Sequence, residues 1–321
     1  MITLEHAYVL TGLMFAAFAV LTLGDRTHPT RIRSALFWGL VAASLLFGSW
    51  LGGLGNGVLV LALVAVAGLK KLSVGQPATT TQGERRESAL RRGNALFIPA
   101  LIVPAVAVGG TLAAKYTGAG AWLLSSTQTT LIALALGCLI ALFAAMAWLR
   151  PPVMAPVQEG RRLMDSIGWA AVLPQMLASL GAVFLASDVG GVVGQLVSQA
   201  VPLTSPLLAV VVYCVGMALF TVIMGNAFAA FPVMTAAIGL PFVVGQFGGN
   251  PAIVCAIGML AGFCGTLMTP MAANWNVVSA NLLELPDRDS PLNGVIRAQI
   301  PTALIMLVVN MALMYALAFR F

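Results

Sequence analysis

The chain has 321 residues, of which 60% are hydrophobic and 8% charged, with a formal net charge of +6 and a mean hydropathy of +0.98. Soluble domains carry about 25% charged residues, so a soluble globular fold is excluded, and a nucleic-acid footprint is not needed to explain the positive charge. The basic residues gather in short loops between long uncharged runs, the pattern of a multi-pass membrane protein with Lys and Arg on its cytoplasmic side.

Residues 7–24 read as the first span. Met1–His6 has no basic n-region and no small-residue cleavage site follows, so no cleavable signal peptide is expected. Arg26, Arg31 and Arg33 form a first basic cluster. Segments 34–50 and 54–69 then fit a helical pair turning over Gly52–Gly57. Lys70, Lys71, Arg85, Arg86, Arg91 and Arg92 make a second cluster on a polar stretch, 70–93, that reads as a flexible cytoplasmic linker. Segments 95–114 and 128–149 form another pair, turning near Lys115–Gly120. Arg150, Arg161 and Arg162 follow on a second expected linker, 150–165, which holds Pro151, Pro152 and Pro156. With all three basic loops cytoplasmic, the N-terminus lies outside.

Beyond residue 165 the pattern is less regular. A helix is expected at 166–186, interrupted by Asp188-Val189-Gly190-Gly191, then one at 205–224. Gly225-Asn226 breaks the apolar run. Segment 227–247 has the length of a span but contains Pro232 and Pro241, so a re-entrant hairpin competes with a full crossing. A helix at 251–264 leads to a second break, Gly265–Asn276, and 298–319 reads as a plain final span. These readings add up to an all-α polytopic membrane protein of about 9–10 transmembrane helices. It is one transmembrane domain, 1–321, with 1–149 and 166–321 as natural halves.

Self-comparison shows a weak echo between those halves. Ser49-Trp50-Leu51-Gly52-Gly53 resembles Ser187-Asp188-Val189-Gly190-Gly191, and Gly93-Asn94-Ala95-Leu96-Phe97 resembles Gly225-Asn226-Ala227-Phe228. Internal duplication is common among secondary transporters, although Gly-rich membrane sequence also matches itself by chance.

The two breaks carry the functional reading. Hydrocarbon offers no water to unpaired backbone groups, so polar, broken backbone is tolerated there only against protein or a wet cavity. Transporters build substrate and ion sites from such broken segments near the bilayer midplane. Gly225 lets the backbone leave helical geometry and Asn226 can donate and accept, with a plain helix cap as the alternative. Thr266, Thr269, Asn274 and Asn276 surround Pro270, offering hydroxyl and amide oxygens for Na⁺ and helix ends for a carboxylate. A proline kink re-satisfied by its neighbours is the alternative there. Asp188 is the one acid close to a mid-chain glycine break and is a candidate for ion or proton coupling, or else a helix end facing water. Gln175 is a further polar candidate on an apolar segment. Trp275 suits an interfacial anchor better than a cavity wall.

Enzyme chemistry is not expected. The two histidines, His6 and His28, lie near membrane edges and form no H-E-x-x-H site, and no phosphate-binding loop or nucleophile elbow is present. Four cysteines, Cys138, Cys214, Cys255 and Cys264, lie in apolar runs without metal-type spacing and read as reduced structural thiols. No cofactor is expected beyond a coupling ion, Na⁺ or H⁺, with the scarcity of buried carboxylates leaning towards Na⁺.

Leu173-Pro174-Gln175-Met176 through Gly194-Gln195, followed by Gly225-Asn226 to Gly239, is similar in order to the gluconate permease pattern of the ion transporter superfamily. Closer still, the whole chain resembles a bacterial membrane family long labelled as of unknown function and now described as the larger subunit of a two-component 5-oxoproline transporter. Arg92-Gly93-Asn94-Ala95-Leu96-Phe97-Ile98-Pro99, Gly225–Pro232 and Gly262–Asn281 carry that resemblance. It implies a location in the bacterial inner membrane, a smaller, separately encoded membrane partner, and uptake of pyroglutamate. A carrier of another small carboxylate, or a scaffold that assembles a partner permease without transporting, are the competing readings.

Overall fold

The computed structural model describes residues 2–68, 72–73, 75, 80–117, 128–283 and 291–320. All regular elements among them are helical. Eight helical runs are long and apolar enough to cross a membrane, and a shorter apolar helix spans Pro251–Leu267. The chain is therefore an all-α, multi-pass membrane-type protein. Backbone contacts divide it into Met1–Asp165 and Ser166–Phe321.

In the first unit, α1 (Leu4–Gly24) runs antiparallel to the first half of α2 (Arg31–Gly68). The Phe15 ring stacks on Trp38 at 5.5 Å, and Ser49 donates to Glu5 at the other end, 3.0 Å away. A straight helix of this length would rise about 57 Å, far beyond a bilayer core. It doubles back at Gly52, whose φ of 62° and ψ of −176° fall in a region open essentially to glycine. Val66 consequently lines the same cavity as Ile32 and Leu36. The carbonyls freed by the turn are met by Asn56, whose amide donates to Gly48 at 2.8 Å and Gly52 at 2.9 Å. The turn expected over Gly52–Gly57 is thus present.

α3 (Gln82–Arg92) opens with a capping box between Thr81 and Glu84, so part of the stretch expected to be flexible is helix; Thr-x-x-Glu is its signature. A short 3₁₀ turn, Gly93–Leu96, leads into α4 (Phe97–Tyr116). α5 (Thr129–Leu149) returns antiparallel, close enough that a Cβ on Gly137 would lie 2.9 Å from the Val103 carbonyl oxygen. Of the turn expected near 115–120, residues 118–120 lie outside the described residues.

Residues 150–165 are not a loose linker. Most of them belong to α6 (Ala155–Ile167), which buries Arg161 and Asp165. Arg161 pairs with Asp25 at 2.8 Å, Trp38 donates its indole N–H to Asp165 at 2.8 Å, and Gly160 lies against the Phe18 ring. Charged residues expected in solvent are paired here with groups of the α1–α2 end, which fixes the helix.

In the second unit, a 3₁₀ turn at Gly168–Val172 precedes α7 (Leu173–Ala186) and α8 (Val189–Ala200). α9 covers Pro206–Met224. α10 (Ala227–Met234) continues as a π-helix over Thr235–Gln246 that contains Pro241. α11 is Pro251–Leu267. A π-helical turn at Ala273–Val277 passes into α12 (Val278–Leu282), and α13 is Pro291–Ala318.

The alternative left open at 227–247 resolves to a continuous helix. Gly216 meets Met234 and Gly239 meets Tyr213, so the segment runs antiparallel to α9 along its length. Pro241, which has no N–H to give to an α-helical ladder, lies within the π-helical stretch. α11 runs parallel to α9, with Gly258 on Tyr213 and Gly262 on Met217. Small residues at these crossings let the backbones approach, the usual basis of helix association in membranes. Between the helices lies a core including Tyr213, Met217, Ile238, Val254 and Met314.

Candidate substrate and ion site

Two of the three breaks identified in the sequence meet in space. α9 and α11 run in the same direction and α10 runs against them, so two C-terminal ends and one N-terminal end converge. Gly225 ends α9 in the left-handed region at φ 78°. A Cβ there would lie 2.6 Å from the carbonyl oxygen of Met271, so glycine is required both by backbone conformation and by space. Thr269 donates its hydroxyl to the Val222 carbonyl at 2.9 Å and accepts from the Met271 N–H at 3.2 Å.

Asn226 is 1% exposed. Its side-chain oxygen accepts from the Phe228 N–H at 2.6 Å, an N-cap on α10. Its amide nitrogen is buried and has no hydrogen-bond partner among the described residues. Asn276 is fully buried and shows the reverse. Its amide donates to the carbonyls of Thr266 at 3.0 Å and Thr269 at 2.7 Å, while its side-chain oxygen has no partner among the described residues. Thr266 itself donates weakly to Gly262 at 3.4 Å. The side chain of Asn274 lies outside the described residues.

Sequence reading missed Thr221. It sits one turn before Gly225, is fully buried, and its hydroxyl has no partner among the described residues. A hydroxyl four residues before a helix-ending glycine is a signal that could have found it. Asn310 was missed too, because 298–319 reads as a plain span; it is 3% exposed, with its amide 3.6 Å from the Cys264 sulfur. Beside the break, Phe263 packs edge-on against Phe228 at 5.8 Å and Trp275 at 6.1 Å.

Each buried polar group without a partner costs about 1–3 kcal/mol. Three of them, Thr221, Asn226 and Asn276, occur where three helix ends meet. The α10 N-terminus favours negative charge and the α9 and α11 C-termini favour positive charge. The arrangement can therefore hold a small polar ligand by hydrogen bonds, with an anionic group towards α10 and a cation towards the carbonyl-rich ends.

Two expectations change. The sequence argument places the breaks near the bilayer midplane, but α9 alone rises about 28 Å, so Gly225-Asn226 is a reversal at the end of a full span. Asp188 does not join the site. It is exposed, adopts φ 49°, and accepts from the Gly191 N–H at 3.3 Å as the N-cap of α8. Its glycines serve packing: Cβ atoms on Gly190 and Gly194 would lie 2.9 Å from Ala236 and from the Ala237 oxygen. Because Gly181 meets Pro232, the Ser187–Asp188 interruption falls beside the middle of the α10–π run. Gln175 is exposed on α7. The echo at Gly93-Asn94 reproduces a positive φ at the glycine, but Asn94 is exposed.

Fold and site together define a multi-pass, all-helical membrane protein with a cluster of buried, neutral polar side chains at joined helix ends. The chain belongs to a family described as a protein of unknown function (DUF979), matched over residues 5–319. No curated protein and no solved structure matches it.

Proposed function

We propose that the chain is a secondary carrier, or the larger subunit of one, that moves a small organic anion across the bacterial inner membrane. The observation that carries this reading is the meeting of the Gly225-Asn226 and Gly265–Asn276 breaks around an unpaired donor and an unpaired acceptor. Capping and carbonyl contacts account for one end of each amide; the other end costs free energy where it stands, and a ligand that supplies the missing partner offsets that cost.

5-Oxoproline is the proposed substrate, from the resemblance described above. It carries one carboxylate and a lactam with one N–H and one C=O. The lactam complements Asn276 Oδ1 and Asn226 Nδ2, and the carboxylate suits the α10 N-terminus. Thr221, Asn226, Thr266, Thr269 and Asn276 are all uncharged, which favours Na⁺ over H⁺ as the driving ion. A smaller membrane subunit would complete the carrier.

Radiolabelled 5-oxoproline uptake into cells expressing this chain, the partner subunit, or both is the test. Uptake that needs this chain and is lost in Asn226→Ala and Asn276→Ala, with both proteins present in the membrane, supports the carrier. Uptake unchanged by either substitution transfers the site to the partner and leaves this chain a scaffold. No uptake in any combination removes the substrate.

A further inference from the structure

A cleft with a basic rim lies in the first unit, at the turn between α1 and α2. It has a volume of about 500 Å³ and is lined by Arg26, His28, Thr30, Arg31 and Arg33, with Ile32, Leu36 and Val66 on its apolar side. Arginines at a loop end are first of all the positive-inside pattern, and solvated ones need no ligand. Three observations separate this cluster from that case.

The charges are uncompensated. Among the described residues no carboxylate lies within ion-pair distance of Arg26, Arg31 or Arg33. The nearest acids are already engaged, Asp25 by Thr27 and Arg161 and Asp165 by Trp38. Arg33 also has a terminal guanidinium nitrogen that is buried without a partner among the described residues, a placement that costs free energy unless an acceptor arrives. Finally, α2 begins at Arg31, so the positive dipole end of its first turn forms part of the wall.

The apolar side tells which anion fits. Ile32 is 68% and Leu36 52% exposed, and they follow the arginines into the first turns of a membrane helix. A ligand that fills the cleft therefore carries a compact negative head and a hydrocarbon body. Basic pockets between helices at the membrane surface suit phospholipid headgroups in this way. We propose that this cleft is a binding site for the phosphate headgroup of an anionic phospholipid, with Arg31 and Arg33 holding the phosphate and Ile32, Leu36 and Val66 receiving the start of an acyl chain.

The test uses the purified full-length protein in detergent, with native mass spectrometry reading retained lipid. Phosphatidylglycerol should be retained on the order of ten-fold more strongly than phosphatidylcholine of the same chain length. Arg31→Gln/Arg33→Gln should remove most of that preference, Arg31→Lys/Arg33→Lys should keep part of it, and Arg91→Gln/Arg92→Gln should leave it intact. Equal retention of the two lipids by the unaltered protein would overturn the proposal without recourse to any variant. So would an equal loss in the Arg91/Arg92 variant, which would mean a diffuse charge effect. Displacement of phosphatidylglycerol by millimolar inorganic phosphate would assign the site to a free anion instead.

Discussion

The Thr269 hydroxyl donates to the Val222 carbonyl across 2.9 Å, joining two chain breaks separated by more than forty residues. This bond satisfies one of the carbonyls that the end of α9 leaves without an intrahelical partner. It also holds the turn after α11 against the turn after α9, so the two breaks form one structural unit.

Thr269→Val should therefore loosen both breaks together. Leaving a buried carbonyl and the Met271 N–H unpaired should cost about 1–3 kcal/mol. Equilibrium unfolding in detergent micelles, followed by circular dichroism, measures it; a loss below a few tenths of a kcal/mol would mean that water or lipid replaces the bond.

Gly225→Ala should be at least as damaging, for two separate reasons. A left-handed φ costs an L-residue roughly 1–2 kcal/mol, and the new methyl would stand 2.6 Å from Met271 backbone. Gly53→Ala is the control, since nothing lies within 4 Å of a Cβ there. The same unfolding measurement should show a clear loss for the first and little for the second.

Asn226 has two jobs that substitution can separate. Asn226→Ser keeps an N-capping oxygen and removes the amide donor, so stability should fall by only a few tenths of a kcal/mol while uptake is lost. Asn226→Ala should lose uptake and, in addition, about 1 kcal/mol of stability. Retained uptake in the Ser variant would assign Asn226 to capping alone.

Acid should weaken the α1–α2 turn. The Thr27 hydroxyl, the Thr27 N–H and Arg161 together hold the Asp25 carboxyl below its ordinary value of 3.8, against an opposing effect of burial. A depressed folded pKa stabilises the fold above 3.8, and that stabilisation is lost as pH falls through the lower folded value. Stability should fall with pH below about 4, with a smaller fall in Asp25→Asn, in unfolding curves recorded across that range.

Gly194→Leu should separate α8 from the π-helical run it packs on, because Gly194 lies directly against the Ala237 backbone. Overpacking of this kind costs typically 1–3 kcal/mol. Gln195→Leu, at an exposed neighbouring position, should cost far less in the same assay.

Much of the fold was legible because membrane helices announce themselves locally. An uncharged run of sufficient length has no other stable conformation in hydrocarbon. Gly52 could be read as a turn for the same local reason, lying between two apolar runs too long to form one span. Thr81 and Glu84 show the opposite failure: a capping box lay in the sequence, but the surrounding polarity masked it as linker. Asp188 was legible as an acid at a break, yet its surroundings depend on how the chain packs, and in the fold it caps α8 through the Gly191 N–H.

By itself, then, the sequence determined that this is a helical membrane protein, where its main apolar runs lie, and which residues are too polar for plain spans. Tertiary structure decided that Gly225-Asn226 closes a full span instead of interrupting one, and that it meets Thr269 and Asn276. It also decided that Arg161 and Asp165 are buried, and that Asn226 and Asn276 keep an unpaired donor and acceptor. The division has a physical cause. Burial from water is a property of each segment and is written in its composition, whereas a hydrogen bond needs a partner whose position is set only when distant segments pack.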